Sequence, residues 1–117
     1  MAGLREMLQG LDAGDSVRGG VIVGEDGLVI HSALTPEADD EAVAALAVTT
    51  RRHAEQLGGA SRSGELRTAV LEFGGGPAIL SALTPQATLV VLAKPDRDLG
   101  PLLYELRIRR DALTGLV

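Results

Sequence analysis

Apolar residues recur along this chain in two rhythms, one helical and one strand-like, and their order outlines the architecture. Leu4, Met7, Leu8 and Leu11 fall at helical spacing, and Gly10 with the Ala13-Gly14-Asp15-Ser16 stretch ends that short amphipathic helix. The segments 17–23 and 28–34 are rich in Val, Ile and Leu. Between them Gly24-Glu25-Asp26-Gly27 carries the Asp-Gly pair that supplies the positive φ of a tight hairpin turn. Pro36 cannot continue a hydrogen-bonded ladder. The acidic cluster Glu37, Asp39, Asp40 and Glu41 then sits where a helix N-terminus presents partial positive charge. A second helix therefore starts there and runs over 42–57 without Gly or Pro, with Gly58-Gly59 as a left-handed exit and 61–65 as a loop.

The strand rhythm resumes over 66–73 and 77–83, separated by a Gly74-Gly75-Gly76 turn and stopped by Pro85. Residues 87–93 form a continuous apolar run, the pattern of a strand buried centrally in a sheet. Asp98 can cap a third helix whose Leu99, Leu102, Leu103, Leu106 and Leu113 follow one stripe. Pro101 is tolerable in its first turn, and Arg107, Arg109 and Arg110 suit its C-terminal dipole. The order is αββαβββα, a mixed α/β chain of the α+β kind. Its 117 residues allow one domain over 1–117 and leave no room for a second core. Residues 21–36 also align without a gap on 70–85, including Ser32-Ala33-Leu34-Thr35-Pro36 against Ser81-Ala82-Leu83-Thr84-Pro85. Shared hairpin geometry accounts for this echo, with Gly27 and Gly76 in equivalent turn positions.

The second helix is the most informative element, because seven successive apolar residues, 42–48, surround it for two turns where one stripe would suffice for docking. Val43, Leu46, Ala47, Thr50, Ala54 and Leu57 share a face expected to meet the core. Ala42, Ala45, Thr49, His53 and Gln56 form a second face of small residues that permits close helix approach. Ala44, Val48, Arg51 and Glu55 form a third strip, apolar at first and charged beyond, suited to a partner.

Composition narrows the function. The absence of cysteine removes disulfides, thiolate zinc sites and thiol nucleophiles. A formal charge of −5 and only two aromatics, Phe73 and Tyr104, oppose nucleic-acid binding. Residues 73–93 are 21 uncharged positions, the length of a bilayer span, but Gly74, Gly75, Gly76, Pro77 and Pro85 break them, so they are expected to form buried strands. The N-terminus lacks the pattern of a signal peptide, and a cytoplasmic location is expected.

Candidate chemistry is sparse. Gly59 to Gly64 has phosphate-loop spacing, but Glu65-Leu66 stands where Lys and Ser/Thr would hold phosphate and magnesium. Gly74-Gly75-Gly76 is no dinucleotide fingerprint, since Ile79 occupies the third glycine position. His31 and His53 have no third soft ligand nearby, and helix-start electrostatics accounts for Asp39, Asp40 and Glu41. No nucleophile and base stand at a recognisable spacing, so no catalytic, cofactor or metal residue is assigned. Arg51-Arg52 and Arg107, Arg109 and Arg110 stay open as phosphate or partner patches.

The order of elements, the run Gly19-Gly20-Val21-Ile22-Val23-Gly24-Glu25-Asp26-Gly27-Leu28-Val29-Ile30, the Ala-rich second helix and Leu89-Val90-Val91-Leu92 together resemble the Roadblock/LC7 family over nearly the whole chain. The resemblance implies a profilin-like, five-stranded antiparallel sheet with the second helix on one face and the first and third on the other. It also implies a homodimer through the second helix and third strand, and a non-enzymatic role as platform or activator for a small Ras-like GTPase, as in the bacterial gliding-motility regulators. Carried over by position, Ala42, Ala45, Thr49, Thr68, Val70 and Glu72 would line the dimer, and Arg51, Arg52 and Glu55 would contact the GTPase. Arg62, on a loop between Ser61 and Ser63, is a further control position for an inserted arginine. The chain ends soon after the third helix, at Leu116-Val117, so functions of a C-terminal extension are not implied. The alternative is a PAS-like module sensing a small molecule, which would need polar groups converging on an apolar cavity.

Overall fold

The computed structural model describes residues 3–11 and 16–117. Its elements are α1 (Leu4–Gln9), β1 (Val17–Gly24), β2 (Val29–Ser32), α2 (Asp40–Ala60), β3 (Thr68–Leu71), β4 (Ala78–Thr84), β5 (Ala87–Ala93), α3 (Gly100–Ile108) and α4 (Arg110–Thr114). The predicted break at Ala13, Gly14 and Asp15 lies outside the described residues. The strands form one antiparallel sheet in the order β2-β1-β5-β4-β3. The continuous apolar run of β5 thus takes the central position, between β1 and β4.

Side chains alternate across the sheet, and each face has its own core. Val21 and Val23 of β1, Leu80 of β4 and Val90 of β5 pack with Ala44, Ala47 and Val48 of α2. Ile22, Ile79, Leu89 and Val91, one residue out of phase, pack with Leu4, Leu8, Leu102, Leu106 and Leu113 on the other side. The uncharged stretch at 73–93 is therefore a turn and two buried strands, and no described helix is long and apolar enough to cross a membrane.

The two hairpins of the internal echo close alike. Gly27 donates its N–H to Gly24 O at 2.9 Å, and Gly76 donates to Phe73 O at 3.0 Å, both glycines at positive φ. The copies differ in placement, since the first strand of one and the second strand of the other are interior. They differ in regularity too. The β1–β2 register slips between Ile22 and Val23, whereas β3–β4 pairs evenly from Thr68↔Ser81 to Leu71↔Ala78.

The strands expected over 28–34 and 66–73 are shorter, at Val29–Ser32 and Thr68–Leu71, and three helix boundaries also depart from expectation. The third helix divides at Arg109, whose backbone leaves helical geometry, and Leu113 reaches the core from the separate α4. Asp98 accepts the Gly100 N–H at 2.9 Å, one residue ahead of the backbone cap at Leu99. Most telling is α2, which does not exit at Gly58-Gly59 but continues through them to Ala60, capped by a right-handed Ser61. The missing side chain at Gly58 serves proximity rather than handedness. A Cβ there would lie 2.7 Å from Gly64 O, in the loop that folds back so that Ser63 N–H reaches Gly58 O at 2.8 Å.

Adjacent glycines in one helix turn therefore predict opposite effects. Gly58→Ala should destabilise the protein by roughly 1–3 kcal/mol through overpacking. At Gly59 a Cβ meets nothing within 4 Å, so Gly59→Ala should stabilise by about 0.5–1 kcal/mol through helix propensity. Urea unfolding of the two variants gives both signs.

Candidate interaction surface

The surface begins with how α2 is set into the fold. Asp39 caps it by accepting the Ala42 N–H on Oδ1 at 3.1 Å, and Asp40 and Glu41 occupy the first turn. The Glu37 carboxyl is held below its ordinary range by its own backbone N–H first and the Thr35 hydroxyl second. Asp39, Asp40 and Glu41 are thus engaged in helix initiation, and Glu37 in the turn that precedes it. Among the described residues no group of three or more His, Asp or Glu could hold a metal ion.

The residues of α2 that meet the sheet are Ala44, Ala47 and Val48, followed a turn later by Arg51. This corrects the expected orientation, because the strip of Ala44, Val48, Arg51 and Glu55 was assigned to a partner. Leu46 and Leu57, assigned to the core, are 66% and 70% exposed. Alanine methyls at the contact let the helix backbone approach the sheet, and the bulkier leucines are turned outward. The small face of Ala42, Ala45, Thr49, His53 and Gln56 is exposed with them. Ala42, Leu46, Thr49, His53 and Gln56 follow one another at alternating spacings of four and three, the seam by which one helix packs along another.

Arg51 has a structural task. Its Nη1 donates to Ala87 O and to Thr88 Oγ1, each at 2.9 Å, and its Nε lies 3.6 Å from Glu55 Oε2. With its side chain only 11% exposed, it ties α2 to the start of the central strand. Of the three residues carried over as GTPase contacts, Arg51 and Glu55 are engaged with each other, and Arg52 is exposed on α2. Arg62 is exposed at φ 57 in the loop after α2. His53 is exposed, whereas His31 Nε2 donates to Leu116 O at 2.8 Å and fastens the C-terminal residues to β2.

The third strand lies at a sheet edge with its outer side unpaired. Its register places Thr68 opposite the buried Ser81 and Val70 opposite Ile79, hence on the face that α3 covers. Ala69 belongs to the α2 side. The carried-over dimer residues therefore fall into two groups. Ala42, Ala45 and Thr49 lie outward on α2, while Thr68 and Val70 lie across the sheet; Glu72 is exposed just beyond β3. Between α2 and β3 lies an open cleft of about 850 Å³ with a mixed lining, apolar at Ala54, Leu57, Leu66, Ala69 and Val70 and polar at Ser61, Ser63, Glu65, Arg67 and Thr68. The sequence does not place Leu46 outward because the all-apolar run 42–48 carries no phase from which to tell a buried leucine from an exposed one, and Leu57, three turns on, follows whichever face Leu46 is given.

Residues 4–93 match the model of the Roadblock/LC7 domain. A Roadblock/LC7 domain of known structure from Streptomyces avermitilis is 30% identical, with a TM-score of 0.63 over 96% of this chain and 99% of its own. Myxococcus xanthus MglB superposes with a TM-score of 0.83 at 19% identity, covering 97% of this chain and 89% of that one. Profilin II of Acanthamoeba castellanii gives 0.61 at 19% identity over 92% of each chain, a likeness of fold. No curated protein sequence matches.

The role of Arg51 is checked by thermal or urea unfolding. Arg51→Ala strips partners from Ala87 O and Thr88 Oγ1 and should cost about 1–3 kcal/mol. Arg52→Ala, a surface change next to it, should stay within about 0.5 kcal/mol.

Proposed function

The chain belongs to the Roadblock/LC7 family, and from that premise we propose that it is a non-enzymatic regulator of a small Ras-like GTPase, acting as a homodimer. The observation that carries this reading is the outward seam of α2, with Leu46 and Leu57 exposed beside the unpaired edge of β3. Two exposed leucines on one helix, beside an open cleft and a free strand edge, form a surface that a second copy can cover with its own α2 and β3. Ala42, Ala45 and Thr49 would lie within that contact, and Thr68, Val70 and Glu72 along the joined edge. The pair would present one continuous sheet as a platform.

Toward the GTPase, repositioning of the partner's own switch residues is favoured over an inserted arginine. Arg51 is held by β5 and Glu55, which leaves Arg52 and Arg62 as the exposed candidates around α2. Arg52 lies on the helix itself and Arg62 in the loop that folds back against its end. An inserted guanidinium would contribute a large factor to hydrolysis, so its removal would be plain in the rate. The protein is proposed to act in the cytoplasm, as one domain, without a cofactor.

Leu46→Glu combined with Leu57→Glu should shift the protein from dimer to monomer in sedimentation, with the circular dichroism of the folded chain kept. A wild-type protein that sediments as a monomer at tens of micromolar refutes the dimer. A titration against a Ras-like GTPase of the same genome, in its GTP-analogue and GDP forms and with phosphate release followed, tests the regulatory reading. Nucleotide-dependent binding with faster release identifies an activator, and binding without acceleration a platform. Absence of binding to any such GTPase by the folded dimer overturns it. If release is accelerated, single Ala changes at Arg52 and Arg62 should leave the acceleration intact.

A further inference from the structure

On the face of the sheet opposite α2, helix α3 does not cover the sheet out to its β3 edge, and a groove of about 570 Å³ remains between them. Three arginines line it, Arg67 ahead of β3, Arg107 on α3 and Arg110 on α4. The paired Thr68 and Ser81 set two hydroxyls on its wall, and Val70, Leu103 and Leu106 give it an apolar floor. Among the described residues no carboxylate lines it, although acidic residues outnumber basic ones, 16 to 11, in the whole chain. We propose that this groove is a docking site for an acidic peptide segment of a partner protein, one that alternates carboxylates with apolar side chains.

Charge complementarity commits the groove to an anionic occupant. Like charges gathered without a counter-charge repel one another, and an incoming carboxylate relieves that repulsion. Among the described residues the guanidinium groups of Arg67 and Arg107 have no ion pair or hydrogen bond within the protein, so their donors are available. Arg110 donates Nη2 to Leu83 O at 3.2 Å, which anchors its side chain to β4. The apolar floor selects a peptide over a bare phosphate, since Leu103, Leu106 and Val70 bind nothing on an inorganic anion but can bury a leucine between two carboxylates. The groove lies on the sheet face opposite α2 and goes beyond the GTPase reading; Thr68 and Val70, at its β3 end, are shared with the edge proposed for the dimer.

The test uses a fluorescein-labelled synthetic peptide of alternating Glu-Glu-Leu units, followed by anisotropy and by amide shifts in the full-length protein. Saturable binding is expected, with shifts at Thr68, Ser81 and Arg107 and weakening as salt is raised. The Arg67→Gln/Arg107→Gln double variant, checked for folding by circular dichroism, should lose about tenfold in affinity. Arg52→Gln, on α2, should bind as the wild type does. No saturable binding, an equal loss in Arg52→Gln, or shifts confined to α2 would each overturn the proposal. Pyrophosphate is the second probe. If it saturates the same residues while the peptide does not, the groove is a phosphate site and the peptide assignment fails.

Discussion

The surface of this protein is set by the depth at which α2 lies on the sheet. Ala44 and Ala47 are the contact, with Val48 beside them, against Val21, Val23, Leu80 and Val90. Alanine keeps the helix close, and closeness leaves room for nothing larger on that side. The rotation of the helix follows, and with it the fate of every other residue on α2. Arg51 is carried inward, where it must find Ala87 O and Thr88 Oγ1, and Leu46 and Leu57 are carried outward, where nothing in the protomer covers them.

The elements themselves were legible in the chain because each is bounded by residues with a mechanical reason to stand there. Asp-Gly at 26–27 and the glycine run at 74–76 close the hairpins, Pro36 and Pro85 stop strands, and Asp39 starts α2. The central position of β5 followed from its unbroken apolar run. The phase of α2 could not be read in the same way. A helix apolar all round for two turns has no moment from which to deduce its buried side, and larger residues are the natural guess for the core. Here the smaller ones were chosen, for a reason that exists only once the sheet is in place. Gly58 shows the same limit, since its neighbour Gly64 is six positions along the chain and meets it only after the loop has folded back.

The candidate site was legible in part. The small face of α2 was identified with its exposure correct, while the role of Arg51 depended on a carbonyl 36 positions away that no local pattern announces. The arginines at 107 and 110 were visible as a basic group, but their juxtaposition with Arg67 comes from the placement of α3 and α4 over β3 and β4. The two faces of the sheet thus carry surfaces of different chemistry. One is a seam of small residues with exposed leucines beside a free edge, and the other is a cationic groove in an acidic protein.

The two edges of the sheet are not equivalent either. The β1–β2 ladder slips its register between Ile22 and Val23, whereas β3 runs true against β4. A slipped, twisted edge is a poor template for another strand, and an even one is a good template. Growth of the sheet is therefore polarised. Two chains joined through β3 would turn their irregular β2 edges outward at both ends, so the assembly would terminate itself at two copies instead of propagating into a fibre.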